Sequence, residues 1–236
     1  MLGSVTNCWK EEDWIGGCLD LLDVDIKVVV MSDLTYSGAK YDPDKSEQIA
    51  KEKGARVLKL NTDSQEIMRN AALEFLQKEG CEYAIIADAD EWWTKRAMET
   101  VKKAIGSGKP GYKVKMRTMF RRPDWEAIST VDGGTLVAVR TDLRFFHRRA
   151  LDGDPHIEPV DAEIFHFSYA KKPEQIRRKL LNFSHADEVI PGWFENVFLP
   201  FEPKRRDFHP TVPTSFRECR TINLPKEICE KLQPAS

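Results

Sequence analysis

The alternation of apolar and polar stretches predicts four strands, each followed by a helix, within the first 110 residues. Short apolar runs at 4–8, 26–31, 56–60 and 85–87 have the length of buried strands. The intervening stretches repeat their apolar residues at helical spacing. Four such units predict parallel strands with right-handed crossovers, whose carboxyl ends meet at one edge of a sheet.

The pattern changes after residue 110. Residues 112–120 alternate apolar side chains with Lys and Arg, and a Gly-Gly turn leads into 136–140, so both stretches are predicted strands of a mixed sheet. From Pro191 onward the chain carries seven of its thirteen prolines and six Trp or Phe residues. That composition predicts an ordered, irregular tail packed on the domain, because a disordered tail would carry fewer aromatic residues.

The predicted fold class is therefore α/β, a single domain with a mostly parallel central sheet flanked by helices. Three segments are expected: residues 1–110, the mixed-sheet part 111–190, and the Pro- and aromatic-rich tail 191–236.

An acidic cluster follows the fourth predicted strand. The run Ile85-Ile86-Ala87 leads directly into Asp88-Ala89-Asp90-Glu91 and two tryptophans. A continuously apolar strand is buried on both faces, so its polar residues mark the place where it leaves the layer. Two carboxylates at this spacing suit Mg²⁺ or Mn²⁺ shared with a diphosphate. The alternative is that these acids only polarise the strand end and cap the helix that starts near Thr94.

Composition and charge limit the class of protein. With 236 residues, 41% of them hydrophobic and 31% charged, the chain has an ordinary globular composition. Residues 1–110 carry fifteen basic and twenty acidic side chains, and the rest carry twenty-one and eighteen. Five scattered cysteines without a CxxC spacing predict reduced thiols. Without a long apolar run or a signal-like start, a soluble cytoplasmic protein lacking a transmembrane anchor is expected.

Four motifs in the first hundred residues resemble a known family. Neither GxGxxG nor GxxxxGK[ST] occurs, so something other than a glycine-rich loop must neutralise phosphates. The motifs are Asn7-Cys8-Trp9-Lys10-Glu11-Glu12, Val28-Val29-Val30-Met31-Ser32-Asp33, Arg69-Asn70-Ala71-Ala72-Leu73 and Asp88-Ala89-Asp90-Glu91. Their order resembles family 2 glycosyltransferases of the GT-A fold, although Met31-Ser32-Asp33 stands where two adjacent acids are typical.

This resemblance implies roles for named residues. The residues expected to contact the nucleotide sugar are Asn7, Glu11, Asp33, Arg69 and Asp88. Asp88 and Asp90 are expected at a divalent metal, with Asp90 the direct ligand. The first segment would then be the nucleotide-sugar-binding half, and residues 111–190 the acceptor and catalytic half.

The second half resembles the lipopolysaccharide-core glucosyltransferase group of the same family. The resemblance rests on Pro155-His156-Ile157-Glu158-Pro159, Ile164-Phe165-His166-Phe167-Ser168-Tyr169 and Pro173-Glu174-Gln175-Ile176-Arg177-Arg178-Lys179. It implies that Glu158 is the catalytic base, His166 a late metal ligand, and Lys179 or Arg178 a diphosphate contact. Further candidates for the base are Asp161, Asp132 and Glu126.

The required chemistry leads to the same residue types. A departing diphosphate needs positive charge where its own negative charge develops. Inverting transfer also needs a carboxylate that accepts the proton of the acceptor hydroxyl. Each candidate has a structural alternative: His166 as a hydrogen-bonded structural residue, Arg178 and Lys179 as a solvated helix face, and the tryptophans as core rather than sugar-stacking residues.

The sequence thus predicts a glycosyltransferase dependent on Mn²⁺ or Mg²⁺ that uses a nucleotide sugar, UDP-linked and transferred with inversion, and a saccharide acceptor. Basic groups such as Lys115-Met116-Arg117 and Arg148-Arg149 leave a hydroxymethylated base in DNA as an alternative acceptor. A nucleotidyltransferase and a non-catalytic nucleotide-sugar-binding module also remain open. The oligomeric state is not indicated.

Overall fold

The computed structural model describes residues 1–40, 42–130, 133–183 and 185–232. Its strands are β1 (Leu2–Asn7), β2 (Ile26–Ser32), β3 (Arg56–Leu60), β4 (Tyr83–Ile86), β5 (Glu91–Trp92), β6 (Gly111–Phe120), β7 (Trp125–Ser129), β8 (Thr135–Arg140), β9 (Phe145–His147), β10 (Ala150–Leu151), β11 (Ile157–Tyr169) and β12 (Phe216–Thr221). Its α-helices are α1 (Ile15–Leu21), α2 (Ser46–Glu52), α3 (Gln65–Lys78), α4 (Lys95–Ile105), α5 (Pro173–Asn182) and α6 (Lys226–Leu232). Within these ranges, no helix has the length and apolar character needed to cross a membrane.

The first half forms the predicted parallel layer. Strands β4, β1, β2 and β3 lie side by side in that order, and all three pairings are parallel. Neighbouring residues of β4 enter different cores: Ile85 packs with α1, α2 and α4 on one face, and Ile86 packs with α3 on the other. The strand is therefore buried on both faces, as its unbroken apolar sequence predicted.

The second half extends the same sheet with mixed pairing. Antiparallel β8 joins β4 to β6, and β7 and β12 continue the sheet beyond β6. The long strand β11 runs parallel to β6, and its carboxyl-terminal part pairs antiparallel with β5. The predicted fold class, an α/β domain with a parallel first half and a mixed second half, is confirmed.

The tail packs on the domain through aromatic side chains. The ring of Phe120, at the end of β6, is surrounded by those of Tyr169, Trp193, Phe198, Phe201, Phe208 and Phe216. The tail is less irregular than expected, because it contributes the edge strand β12 and helix α6, whose Ile228 is fully buried.

Candidate functional site

The acidic cluster lies in a tight turn at the carboxyl end of β4, where open α/β sheets bind their ligands. The backbone N–H of Glu91 donates to the carbonyl of Asp88 at 2.9 Å. The Glu91 carboxylate accepts from the backbone N–H of Asp88 at 3.0 Å. The third acid of the motif therefore holds the turn that presents the other two.

Aromatic side chains in the core pack against the residues that follow this turn. Trp92 and Trp93 are fully buried, so the structure supports their core role and not sugar stacking. The Trp92 indole donates to the carbonyl of Trp14 at 3.2 Å, and its ring lies 5.0 Å from that of Phe167. Helix α1 approaches closely at Gly17, where an added Cβ would lie 2.4 Å from the Trp92 ring.

Two arginines neutralise Asp88. Arg69 Nη2 lies 2.9 Å from Asp88 Oδ1, and Arg149 Nη2 lies 3.2 Å from Asp88 Oδ2. Arg149 also reaches Glu91 Oε2 at 2.5 Å. Burial alone would raise the pKa of Asp88, but the two guanidinium groups outweigh it and hold the pKa below its usual value. The Arg69 side chain is almost completely buried. Its guanidinium group is therefore a counter-ion of Asp88 inside the protein.

Asp90 is surrounded by basic side chains from the second half. Lys171 Nζ lies 2.7 Å and Lys179 Nζ 3.7 Å from Asp90 Oδ2, and His166 Nε2 lies 3.5 Å from Oδ1. Burial by itself would raise the pKa of Asp90, but the Lys171 and Lys179 ammonium groups, together with the His166 ring, hold it well below the ordinary value. The pairing of β11 with β5 explains the approach, because it sets His166 opposite Glu91.

Lys171 also binds Glu11, which lies in the segment between β1 and α1. The two Nζ–Oε distances are 2.5 and 2.6 Å. Burial would lower the pKa of the Lys171 ammonium, but Asp90 and Glu11 raise it above its usual value. One buried ammonium thus connects the first motif of the sequence, the acidic turn and the end of β11.

Three further predicted residues lie at or near this edge. Asn7, at the end of β1, is buried and donates to the Gln65 carbonyl at 3.4 Å. Its Oδ1 has no hydrogen-bond partner among the described residues. Asp33 follows the end of β2 and is exposed. Of the pair Arg178 and Lys179, Lys179 is the one that approaches Asp90.

The predicted catalytic base is not brought to the cluster. Glu158 precedes His166 by eight residues on β11, and the register with β6 shifts between them. Glu158 lies opposite Tyr112 and His166 opposite Thr118, so the two are roughly 20 Å apart along the sheet. There it bonds His156 at 3.0 Å. Asp161 lies between the two and lines a separate cavity of about 520 Å³. Because β11 crosses the sheet, residues near its two ends lie far apart, and the role of Glu158 as the base stays a prediction that this placement does not support.

The structure does not support Glu126 or Asp132 as the catalytic base in place of Glu158. Glu126 is buried and bonded to Arg117 and Arg220, and Asp132 lies outside the described residues.

A larger cavity of about 970 Å³ is lined by Met1 and Tyr83, at the starts of β1 and β4. It therefore lies at the edge of the sheet opposite to the acidic turn.

As folded, the predicted metal ligands do not fit a divalent cation. Asp88 is paired with arginines and Asp90 with lysines, so the basic side chains occupy the positions next to their oxygens. Among the described residues, no three His, Cys, Asp or Glu side chains converge on one point. The Mn²⁺ or Mg²⁺ requirement stays a prediction.

Sequence reasoning missed two basic residues of the site. Lys171 stands beside Lys172 in a polar stretch after β11, and nothing in that pattern distinguishes the buried lysine from the exposed one. Arg149 was grouped with Arg148 as part of a basic surface for nucleic acid, but it turns inward to Asp88 and Glu91. Arg117, in another such group, is bonded to Glu126 and Glu163. These arginines therefore give no support to a DNA acceptor.

Comparison with known proteins finds structural similarity at low sequence identity. No family model and no curated protein matches the sequence. A structure of S. aureus TarS, 1–349, superposes with a TM-score of 0.48 at 15% identity and covers 75% of this chain. A second TarS structure gives 0.47 at 17% identity and 85% coverage. The 4-diphosphocytidyl-2C-methyl-D-erythritol synthase of Anaerococcus prevotii gives 0.44 at 10% identity, covering 75% of this chain and 93% of its own.

This chain spans 62% and 44% of the two TarS chains. At this level of similarity the three structures carry no argument about activity.

Proposed function

We propose that the chain is a glycosyltransferase that moves a sugar from a UDP-linked donor to the hydroxyl of a saccharide. The observation that carries this proposal is the acidic turn after β4, which faces ammonium groups supplied by the segment after β11 and by α5. Acids and bases from both halves meet at the sheet edge where nucleotides bind in open α/β folds.

Two side chains of the site support binding of a nucleoside diphosphate. Asp33 is exposed at the end of β2. Its carboxylate is an acceptor for the N–H or hydroxyl groups of a nucleobase or ribose. Lys179 has solvent access and lies near Asp90, where an ammonium can stabilise the charge that develops on a departing diphosphate.

A non-catalytic nucleotide-sugar-binding module is the second candidate. One observation favours it: Glu11, Asp88, Asp90 and Glu91 are each bonded to a basic side chain. None of these four carboxylates is left unpaired to accept the proton of an acceptor hydroxyl. Turnover distinguishes the two candidates, because a binding module releases no product.

The test is release of free nucleoside diphosphate from a panel of nucleotide sugars, without acceptor, in Mn²⁺ and in EDTA. We expect slow hydrolysis of one donor, and its loss in Asp90→Asn, because the charge that orders the lysines is removed. Thermal melting checks that the variant is folded. Binding of a donor without any hydrolysis, even with saccharide acceptors added, would favour the binding module.

Glu158→Gln is the informative comparison for the sequence-based choice of base. Since Glu158 lies far along β11 from the acidic turn, we expect this variant to hydrolyse the donor like the wild type. A loss of donor hydrolysis as large as that of Asp90→Asn would instead support Glu158 as the catalytic base.

A further inference from the structure

The charges of the acidic turn are balanced within the chain itself. Four acids lie in the turn or beside it, and each is bonded to at least one basic side chain: Glu11 to Lys171, Asp88 to Arg69 and Arg149, Asp90 to Lys171 and Lys179, and Glu91 to Arg149. The set holds four carboxyl groups and four basic side chains, and burial raises the pKa of the Glu11 carboxyl to about 7. Carboxylates that are already neutralised do not repel a diphosphate as free carboxylates would.

The ammonium of Lys171 occupies the place next to Asp90 that a metal would need. A Mg²⁺ ion binds carboxylate oxygen at about 2.1 Å. Lys171 Nζ already lies 2.7 Å from Asp90 Oδ2, and its side chain is only 4% exposed. A divalent cation at that oxygen would be repelled by the buried Lys171 ammonium, because little solvent is present to screen the two positive charges.

The two lysines differ in what they can still bind. Lys171 uses its donors on both Glu11 oxygens and on Asp90. Lys179 is 21% exposed, lies 3.7 Å from Asp90, and donates to the hydroxyl and carbonyl oxygens of Ser168. Lys171 is therefore the internal counter-ion, and Lys179 is the cation with a side open to a ligand.

From this arrangement we propose that Lys171 and Lys179 take the place of the divalent cation, so that the chain binds the diphosphate group of a nucleotide without metal. Lys171 keeps the Asp90 and Glu11 carboxylates neutralised, and Lys179 contacts a phosphate oxygen. This inference rests on the proposed function, since it concerns the donor of the same site.

The experiment measures binding of UDP, CDP, GDP and ADP to the full chain by titration calorimetry, in EDTA and in Mn²⁺. At least one nucleotide should bind in EDTA, with an affinity within about threefold of that in Mn²⁺. Lys179→Gln should weaken that binding about tenfold or more, because a charge-assisted contact is lost, and Lys179→Arg should keep most of it. The matched control is Lys172→Gln, an exposed lysine at the start of the same helix.

Two results would overturn the lysine proposal while leaving the proposed function in place. The first is binding that is at least tenfold weaker in EDTA than in Mn²⁺. The second is binding in EDTA that Lys179→Gln does not weaken more than Lys172→Gln does. If none of the four nucleotides binds under either condition, the proposed function fails and this inference fails with it.

A measurement on the unaltered chain covers the case in which Lys179→Gln does not fold. Mn²⁺ alone is titrated into the wild-type protein, and the free ion is followed by electron paramagnetic resonance. The proposal expects the signal of free Mn²⁺ to remain, because ammonium groups occupy the site. Stoichiometric disappearance of that signal, prevented by Asp90→Asn, would place the metal at Asp90 and overturn the proposal.

Discussion

Lys171 joins three parts of the chain that are distant in sequence. Its ammonium binds Glu11 after β1 and Asp90 after β4, while Lys171 itself follows β11. The buried ion pair is stable only while both signs of charge are present, because an unpaired charge in a buried position carries a large desolvation cost. The stability of the fold and the shape of the site are therefore coupled at this residue.

Lys171→Met should lower the free energy of unfolding by about 3–5 kcal/mol, because it removes the ion-pair partner of Glu11 and leaves Asp90 with the more distant Lys179. Adding Glu11→Gln should recover part of that loss, since one of the unpaired charges disappears. Urea unfolding of the wild type, both single variants and the double variant gives the coupling energy. Lys172→Met should stay within about 0.5 kcal/mol of the wild type, since its side chain is exposed. Equal effects at Lys171 and Lys172 would contradict the buried ion pair.

The residues of the site were only partly predictable from the sequence. Asp88, Asp90, His166 and Lys179 were expected near one another, and the structure brings them together. Arg149 and Lys171 were not expected there, because a basic residue in a polar stretch has the same local pattern whether it faces solvent or a buried carboxylate. Glu158 lies far along β11 from this cluster, and the sequence did not show this because motif spacing does not reveal how far a strand continues.

Strand β11 determines how the elements are arranged around the site. It is 13 residues long, runs beside β6, and ends against β5. Near its middle it also shares an ion-pair network in which Arg117 of β6 bonds Glu163 of β11 and Glu126 of β7, and Arg220 of β12 bonds Glu126. Four strands are thus joined by side chains as well as by the backbone ladder.

The Glu126 network predicts a loss of stability in acid. Burial would raise the pKa of Glu126, but hydrogen bonds from Arg117 and Arg220 hold it below its usual value. Because the folded pKa is the lower one, the unfolded chain takes up the proton first as pH falls. The contribution is therefore fully present above about pH 5 and is lost as pH falls through the folded pKa.

Urea unfolding at pH 7, 5, 4 and 3 tests this contribution. Glu126→Gln should lose about 1–3 kcal/mol at pH 7, because two arginines lose their charged partner. It should also depend less on pH than the wild type below about pH 5. Glu218→Gln, at an exposed position of β12, is the control and should follow the wild-type curve. Parallel curves for the wild type and Glu126→Gln would contradict the assigned pKa shift.

The longer elements were predictable and the shortest were not. Residues 56–60 were predicted as a strand and form β3 with the same bounds, and the helix predicted near Thr94 begins there as α4. Strands β5, β9 and β10 have only two or three residues each. A stretch so short carries no periodicity, and its backbone is extended only because a partner strand lies beside it.

Across the whole molecule, the tail completes a third apolar core. Phe208 is fully buried, and its ring centroid lies 4.8 Å from those of Phe120 and Phe201. The indole of Trp193 donates to the Phe208 carbonyl at 2.9 Å. Because Phe120 belongs to β6, this core joins the tail to the central sheet.

Phe208→Ala should therefore destabilise the whole domain by about 3–5 kcal/mol, the usual cost of removing a buried ring. Unfolding should remain one cooperative transition when followed by tryptophan fluorescence and by circular dichroism. Val212→Ala, at an exposed position of the tail, should change stability by less than about 0.5 kcal/mol. Selective early melting of the tail, with an unchanged main transition, would contradict a shared core.

The sequence by itself determined the class of the fold and the edge at which its chemistry lies. Apolar periodicity and motif order are local properties, and they specify buried strands, the helices between them and the acidic turn at the end of β4. The tertiary structure alone decided which cations meet those acids, because Lys171 and Arg149 reach Asp90 and Asp88 through strand pairing and a hairpin far along the chain. Charge pairing depends on distance in space, and the linear pattern does not contain that distance.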